Sequence, residues 1–119
     1  MILDHINIRA TDLDVMAAFL GNVAGLTVGD RPPFKFDGRW LYDDTESPVV
    51  HLIHWKEEHT HPGPVDHFAF RGTDLDATRE RLNAQDIAFD ERVVPGRGTV
   101  QIFIKGPDQI TVELGFPVE

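Results

Sequence analysis

Four side chains of this 119-residue chain, His5, His51, His67 and Glu113, are of types that bind metal ions, and an internal repeat relates their positions. "DHINIRATDLD" begins at Asp4 and "DHFAFRGTDLD" at Asp66, so a shift of 62 positions lays His5 on His67 and carries Arg9, Thr11, Asp12, Leu13 and Asp14 onto identical residues. The same shift lays "VVHLI" (Val49 to Ile53) on "TVELG" (Thr111 to Gly115), so that His51 falls on Glu113. Neutral imidazole and carboxylate together suit Zn, Fe, Mn, Co or Ni, and two imidazoles with one carboxylate and open positions make the facial site of non-haem iron chemistry. Singly, each residue reads as an ordinary structural or solvated group. Jointly, at duplicated positions, they read as a ligand set. The chain has no cysteine, which excludes thiolate catalysis and Cys-based zinc sites.

Elements that would position this set are legible in both copies. A period of this length means two copies of a supersecondary unit rather than a solenoid. "LDHINIR" and "VDHFAFR" alternate as strands with one covered face: Ile6 and Ile8, like Phe68 and Phe70, point one way, and the histidines point the other. Thr11 and Thr73 are N-cap candidates, each with an aspartate three residues on. Leu13, Met16, Ala17, Leu20 and Val23 or Ala24 keep helical spacing up to a stop at Gly25, and Leu75, Thr78 and Leu82 form a thinner stripe in the second copy. Three strand candidates follow each helix, at Thr27 to Arg31, Arg39 to Asp43 and Val49 to Trp55, then at Ile87 to Val93, Thr99 to Lys105 and Gln109 to Phe116. The expected fold is α+β: two βαβββ modules, 1–58 and 65–119, joined by a linker at 59–64 within "EEHTHPGP". The helices cover one face of each sheet, so the other faces should curl into a cup-like, partly closed barrel, within one chain or between two. His51 shares strand parity with Ile53 and Trp55, and Glu113 opposes Val112 and Leu114, so all four candidates aim into that cup.

Composition narrows the function classes. A chain of this size buries enough surface to fold without a structural metal, so a metal would have another task. A formal net charge of −9 argues against nucleic acid or an anionic membrane as partner, though not against a small anion held by a few arginines. No apolar run approaches the length of a membrane span, and Met1 leads almost at once into a strand, which leaves no room for a leader; the expected compartment is the cytoplasm.

"LDHINI", "VDHFAF", the helix after "TDLD" and the terminal "VEL" resemble the vicinal oxygen chelate superfamily, which includes glyoxalase I, fosfomycin-resistance enzymes, methylmalonyl-CoA epimerase, extradiol dioxygenases and bleomycin-resistance proteins. The resemblance covers essentially the whole chain. It implies the glyoxalase/bleomycin resistance/dihydroxybiphenyl dioxygenase fold, a homodimer, and a divalent metal that grips two adjacent oxygens of a small-molecule substrate for isomerase, lyase or ring-cleaving chemistry. His5, His67 and Glu113 match the recurring ligands, and His51 takes the fourth, more variable position, as a ligand or as a proton-transferring catalytic residue. Glyoxalase I has a glutamate where His51 stands, and the usual "DPDG" turn reads "GPDQ" here (Gly106 to Gln109). The alternative is a non-catalytic, drug-binding protein of the bleomycin-resistance type, although such proteins usually lack the ligand set.

Other residues carry less chemistry. His59 and His61 read as parts of a solvated connection, and His54, with the parity of the covered face, reads as a core or edge histidine. Trp40, Tyr42, Trp55 and Phe103 line the cup or fill the core. Arg97, between two glycines, is a loop group that either clamps an anion or faces water, while Arg9 and Arg71 are rim groups whose plainest reading is a salt bridge.

Overall fold

A computed structural model describes residues 3–55, 67–94 and 98–117. The chain divides into two compact units, Met1–His59 and Thr60–Glu119. The connection at 59–64, with His59 and His61, and Arg97 lie outside the described residues.

The first unit runs β1 (Ile6–Ala10), α1 (Leu13–Ala24), β2 (Thr27–Gly29), β3 (Gly38–Tyr42) and β4 (Pro48–His54). The second runs β5 (Phe68–Arg71), α2 (Leu75–Ala84), β6 (Asp90–Val94), β7 (Thr99–Lys105) and β8 (Thr111–Pro117). Each unit is thus βαβββ, and each sheet is open and four-stranded, in the orders β1-β4-β3-β2 and β5-β8-β7-β6. In both, the first strand pairs in parallel with the last, and the other pairings are antiparallel. The sequence places these elements correctly, with strand limits displaced by a few residues; His5 and His67 each stand one residue ahead of the strand they introduce.

Burial follows the period-two alternation. Val50 and Leu52 on β4, Ile102 and Ile104 on β7, and Val112 and Leu114 on β8 are all but inaccessible, whereas His51 and Glu113 point to the opposite, partly accessible faces. α1 covers β2, β3 and β4 with Leu13, Met16, Ala17, Leu20 and Val23, the stripe its spacing predicts, and stops at Gly25, whose φ of 72° is the left-handed conformation that favours glycine. Two expectations need correction. The N-caps are Asp12 and Asp74, one residue beyond the threonines: the carboxylates accept from the amides of Val15 and Ala77 at 3.0 and 2.9 Å, and a charged acceptor gains from the helix dipole there. His54 is exposed despite its parity.

The second unit explains His54. Its counterpart there is Phe116, which is 3% exposed, and the ring is in because Gly72 faces it: a Cβ on Gly72 would lie 2.2 Å from the Phe116 ring. The counterpart of Gly72 is Ala10, the register partner of His54, and Ala10 carries that Cβ. No helix among the described residues is long and apolar enough to cross a membrane.

Candidate functional site

Register places the donor positions. In the first unit Asn7 on β1 and Trp40 on β3 flank His51 on β4; in the second, Ala69 on β5 and Phe103 on β7 flank Glu113 on β8. Each opening histidine sits two residues upstream of the flanking β1 or β5 residue and approaches the donor diagonally. The outcome is one donor pair per unit, each beside an aromatic ring from the third strand of its sheet.

The first pair is a stack. His5 and His51 lie with ring centroids 3.8 Å apart and planes 14° from parallel, and Trp40 covers the other side of His51 at 4.1 Å and 9°. His51 Nε2 is buried and, among the described residues, has no hydrogen-bond partner. Such an atom costs about 1–3 kcal/mol if left unsatisfied, a cost that a bound metal ion would remove. Burial lowers the His51 pKa, the neighbouring His5 lowers it further and the Arg31 charge adds to that, against a raising contribution from the Pro48 backbone and Asp4. His51 is therefore a neutral imidazole near neutral pH, the form that offers a lone pair.

His5 is oriented by its neighbour. Its Nδ1 lies 2.7 Å from Asp4 Oδ2, and since the carboxylate only accepts, Nδ1 is the donor, which leaves Nε2 as the nitrogen that could bind a metal. A carboxylate behind a histidine is the usual outer support of a metal ligand, fixing its tautomer and raising its basicity. The sequence reading passed over Asp4, although "DH" occurs in both copies; Asp66, its counterpart, lies outside the described residues.

The second pair is His67 and Glu113, with Nε2 and Oε1 3.6 Å apart. That exceeds a good hydrogen bond. Two donors bound to one metal at about 2.1 Å and about 90–110° lie about 3.0–3.4 Å apart, so the pair is spaced near what a shared cation needs. Phe103 stands edge-on to His67 at 6.4 Å, and Arg92 lies over the Phe103 ring, 5.0 Å from its centroid. Glu113 lines a concavity of about 390 Å³ within this unit, with Arg71, Thr99, Gly115 and Pro117 among its walls. The donor chemistry, three imidazoles and a carboxylate in two pairs, with one buried imidazole nitrogen that makes no hydrogen bond among the described residues, fits a divalent transition metal. No group of three or more metal-capable side chains gathers within the described residues, so each unit supplies a pair and neither a full set.

Of the aromatic candidates, Trp40 and Phe103 stand beside the donor pairs, while the Tyr42 hydroxyl donates to the Asp30 carbonyl. Arg9 lies over Trp55 at 5.6 Å, so a cation–π contact takes the place of the expected salt bridge. A group the sequence reading missed is Arg31 with Phe34 and Phe36 in the β2–β3 connection, where the two rings stack at 5.1 Å and Phe34 meets Trp40 at 6.5 Å. The only signal was an aromatic-rich stretch after Pro32-Pro33.

Two open sheets, each opened and closed by parallel strands and capped by one helix, define an α+β protein made of two βαβββ repeats. A family model, the Glyoxalase/Bleomycin resistance protein/Dioxygenase superfamily, matches residues 2–114, and the chain belongs to that superfamily. Among solved structures, it is similar to the glyoxylase/bleomycin resistance protein/dioxygenase domain from Frankia sp. EAN1pec, with a TM-score of 0.79 at 17% identity, covering 100% of this chain and 93% of that one. It is also similar to the genomically encoded fosfomycin resistance protein FosX from Listeria monocytogenes (0.74, 20%, covering 98% and 94%) and to lactoylglutathione lyase from Agrobacterium tumefaciens (0.68, 19%, covering 97% and 92%). At these identities the likeness is one of fold. None of the curated proteins matches the sequence.

Proposed function

We propose that this protein is a cytoplasmic, metal-dependent enzyme of the superfamily, acting on a small molecule with two adjacent oxygens by isomerase, lyase or ring-cleaving dioxygenase chemistry. The observation that carries the reading is the buried, partnerless Nε2 of His51, stacked on a histidine whose own proton is held away by Asp4. In this reading the two modules act as one domain, and His5, His51, His67 and Glu113 together hold one divalent ion, Fe, Mn, Co, Ni or Zn. When bound, such an ion supplies Lewis acidity that stabilises negative charge developing on a substrate oxygen.

The protein's own groups then divide the work. Asp4 keeps the His5 proton on Nδ1. Trp40 fixes the His51 ring by lying flat against it and excludes water from one side. Glu113, 16% exposed at its side chain, is the anionic member and the one group of the set that can accept a proton and lose its charge. His51 serves as fourth ligand or, if released, as a neutral imidazole that accepts a proton.

Elemental analysis of freshly purified protein, followed by reconstitution with each of the five metals, tests the reading. Stoichiometric transition metal is expected. Protein that stays metal-free and inactive with every one overturns it and leaves a sequestering protein of the bleomycin-resistance type. We further propose a homodimer in which each site draws on both chains. Mixing His5→Ala with Glu113→Ala protein should then restore part of the metal binding that each lacks, whereas a site confined to one chain predicts no recovery.

A further inference from the structure

Large apolar side chains left exposed in the described residues are mostly scattered singly, as at Leu3, Val15, Val28 and Val93. Phe34 and Phe36 are different: they are 46% and 51% exposed, stack on each other, and belong to one connection that leads to the candidate site. That connection is fixed at several points. Pro32 and Pro33 restrict it, Arg31 Nη2 donates to the Phe36 carbonyl at 2.9 Å, and Arg39 Nη1 donates to Asp37 at 3.2 Å. Ordering a loop that leaves two phenylalanine rings about half exposed returns little in folding, because much of their apolar surface stays in water. It does have one in binding, since a preformed platform spares a ligand the cost of arranging it.

Arg31 gives the platform its chemistry. Its guanidinium lies 5.1 Å from the Phe34 centroid and 5.0 Å from that of Phe36. Arg39 and Arg79 both have carboxylate partners, but Arg31 has none among the described residues, in a chain with 20 acidic residues. One of its N–H groups is used on the Phe36 carbonyl, and the remaining donors form a planar fork suited to a carboxylate. Beyond Phe34 the rings continue through Trp40, His51 and His5.

We propose that Arg31, Phe34, Phe36 and Trp40 form a recognition platform for a planar aromatic acid, whose ring lies on the exposed aromatics and whose carboxylate takes the Arg31 fork. A ring without a charge would forgo the arginine, and an anion without a ring would leave the phenylalanines wet. The proposal rests on the metal-enzyme reading for what happens to the bound acid, but binding itself needs no metal.

The test uses the full chain, stripped with chelator and carrying Trp55→Phe, so that the one remaining indole N–H signal in a nitrogen-15 NMR spectrum belongs to Trp40. Benzoate, benzyl alcohol and acetate are titrated in turn. Benzoate should shift that signal saturably, with the other two at least about tenfold weaker, the scale of losing one charge-assisted hydrogen bond or one ring contact. Arg31→Gln and Phe34→Leu should each weaken benzoate by about tenfold with unchanged circular dichroism and thermal midpoint, and Arg31→Lys should recover part of the loss. Equal binding of acetate and benzoate, or indifference to either variant, overturns the platform. So does a concentration-dependent change in mass on Phe34→Leu, which would mean that a second copy of the chain covers the rings. Because the titration is metal-free, failure of the metal reading leaves its outcome standing, and the elemental analysis is equally blind to this one.

Discussion

In the first unit α1 buries Leu13, Met16, Ala17, Leu20 and Val23, whereas in the second α2 buries Thr78 and Leu82 and is tied to β6 by Arg79, whose Nε and Nη2 fork onto Glu91 at 2.8 and 2.6 Å. The donor pairs differ in the same way. The first is two stacked imidazoles beside a tryptophan, the second an imidazole and a carboxylate beside a phenylalanine and an arginine. Strand order and the parallel register of β1 on β4 and of β5 on β8 are the same in both units, while β3–β4 carries a bulge between Leu41 and Tyr42 that β7–β8 lacks, so the duplication holds the positions of the donors steady while the means of holding helix to sheet diverges. Placement of a site can thus be shared by units whose helices are held by unlike contacts.

The largest effect should come from removing one donor of either pair. Glu113→Ala and His51→Ala are each expected to weaken metal binding by more than about a hundredfold in competition with a chromophoric chelator, since even outer supports cost about 10–100-fold. If His51→Ala kept its metal and lost turnover, the first pair would hold one ligand and one proton carrier, and the two units would be less alike than their registers suggest. Asp4→Asn comes next, with about 10–100-fold weaker metal and little change in folding. Gly72→Ala carries the first unit's Cβ into the second and should destabilise by about 1–3 kcal/mol, because the Phe116 ring must move. Adding Phe116→His to it should return part of that loss in a urea titration, as it rebuilds the arrangement of Ala10 and His54.

The hairpin before β8 offers a gain. Asp108 and Gln109 both have positive φ, 55° and 62°, in a turn closed from the Ile110 amide to the Pro107 carbonyl at 3.1 Å. Turns of this kind favour glycine at the second place, so Gln109→Gly should stabilise by about 1 kcal/mol and raise the melting midpoint by a few degrees. The smallest effect concerns α2. The Arg79 hydrogen bond holds the Glu91 pKa below its usual value, so the pair's contribution is complete above the ordinary carboxylate range and is lost as pH falls through the depressed value. Arg79→Gln should therefore lower stability slightly at pH 7 and not at all in strong acid, and an equal loss at both would contradict an electrostatic tie.

How much of this was legible in the letters depends on the kind of pattern. Alternation and helical spacing gave both units their strands and helices, and the 62-residue repeat singled out all four donors. What it could not give was anything set by contacts across strands. The His5–His51 stack depends on a diagonal approach over parallel strands, and the exposure of His54 depends on a single methyl group on its partner strand. The caps were misread by one residue because threonine and aspartate are both good caps and adjacent here. The Arg31 loop has no periodicity at all, so its order became visible only with the hydrogen bonds that hold it.

The proposed site requires both donor pairs to meet at one metal, and X-ray absorption at the metal edge of the Co(II)-loaded protein tests this most directly. The expected first shell lies at about 2.0–2.2 Å with the multiple-scattering signature of three imidazoles, falling to two in His67→Ala and to one in the His5→Ala, His51→Ala double variant. A shell with two imidazoles or fewer in the unaltered protein, indifferent to His67→Ala, would mean that the pairs bind separately or not at all, and would contradict it.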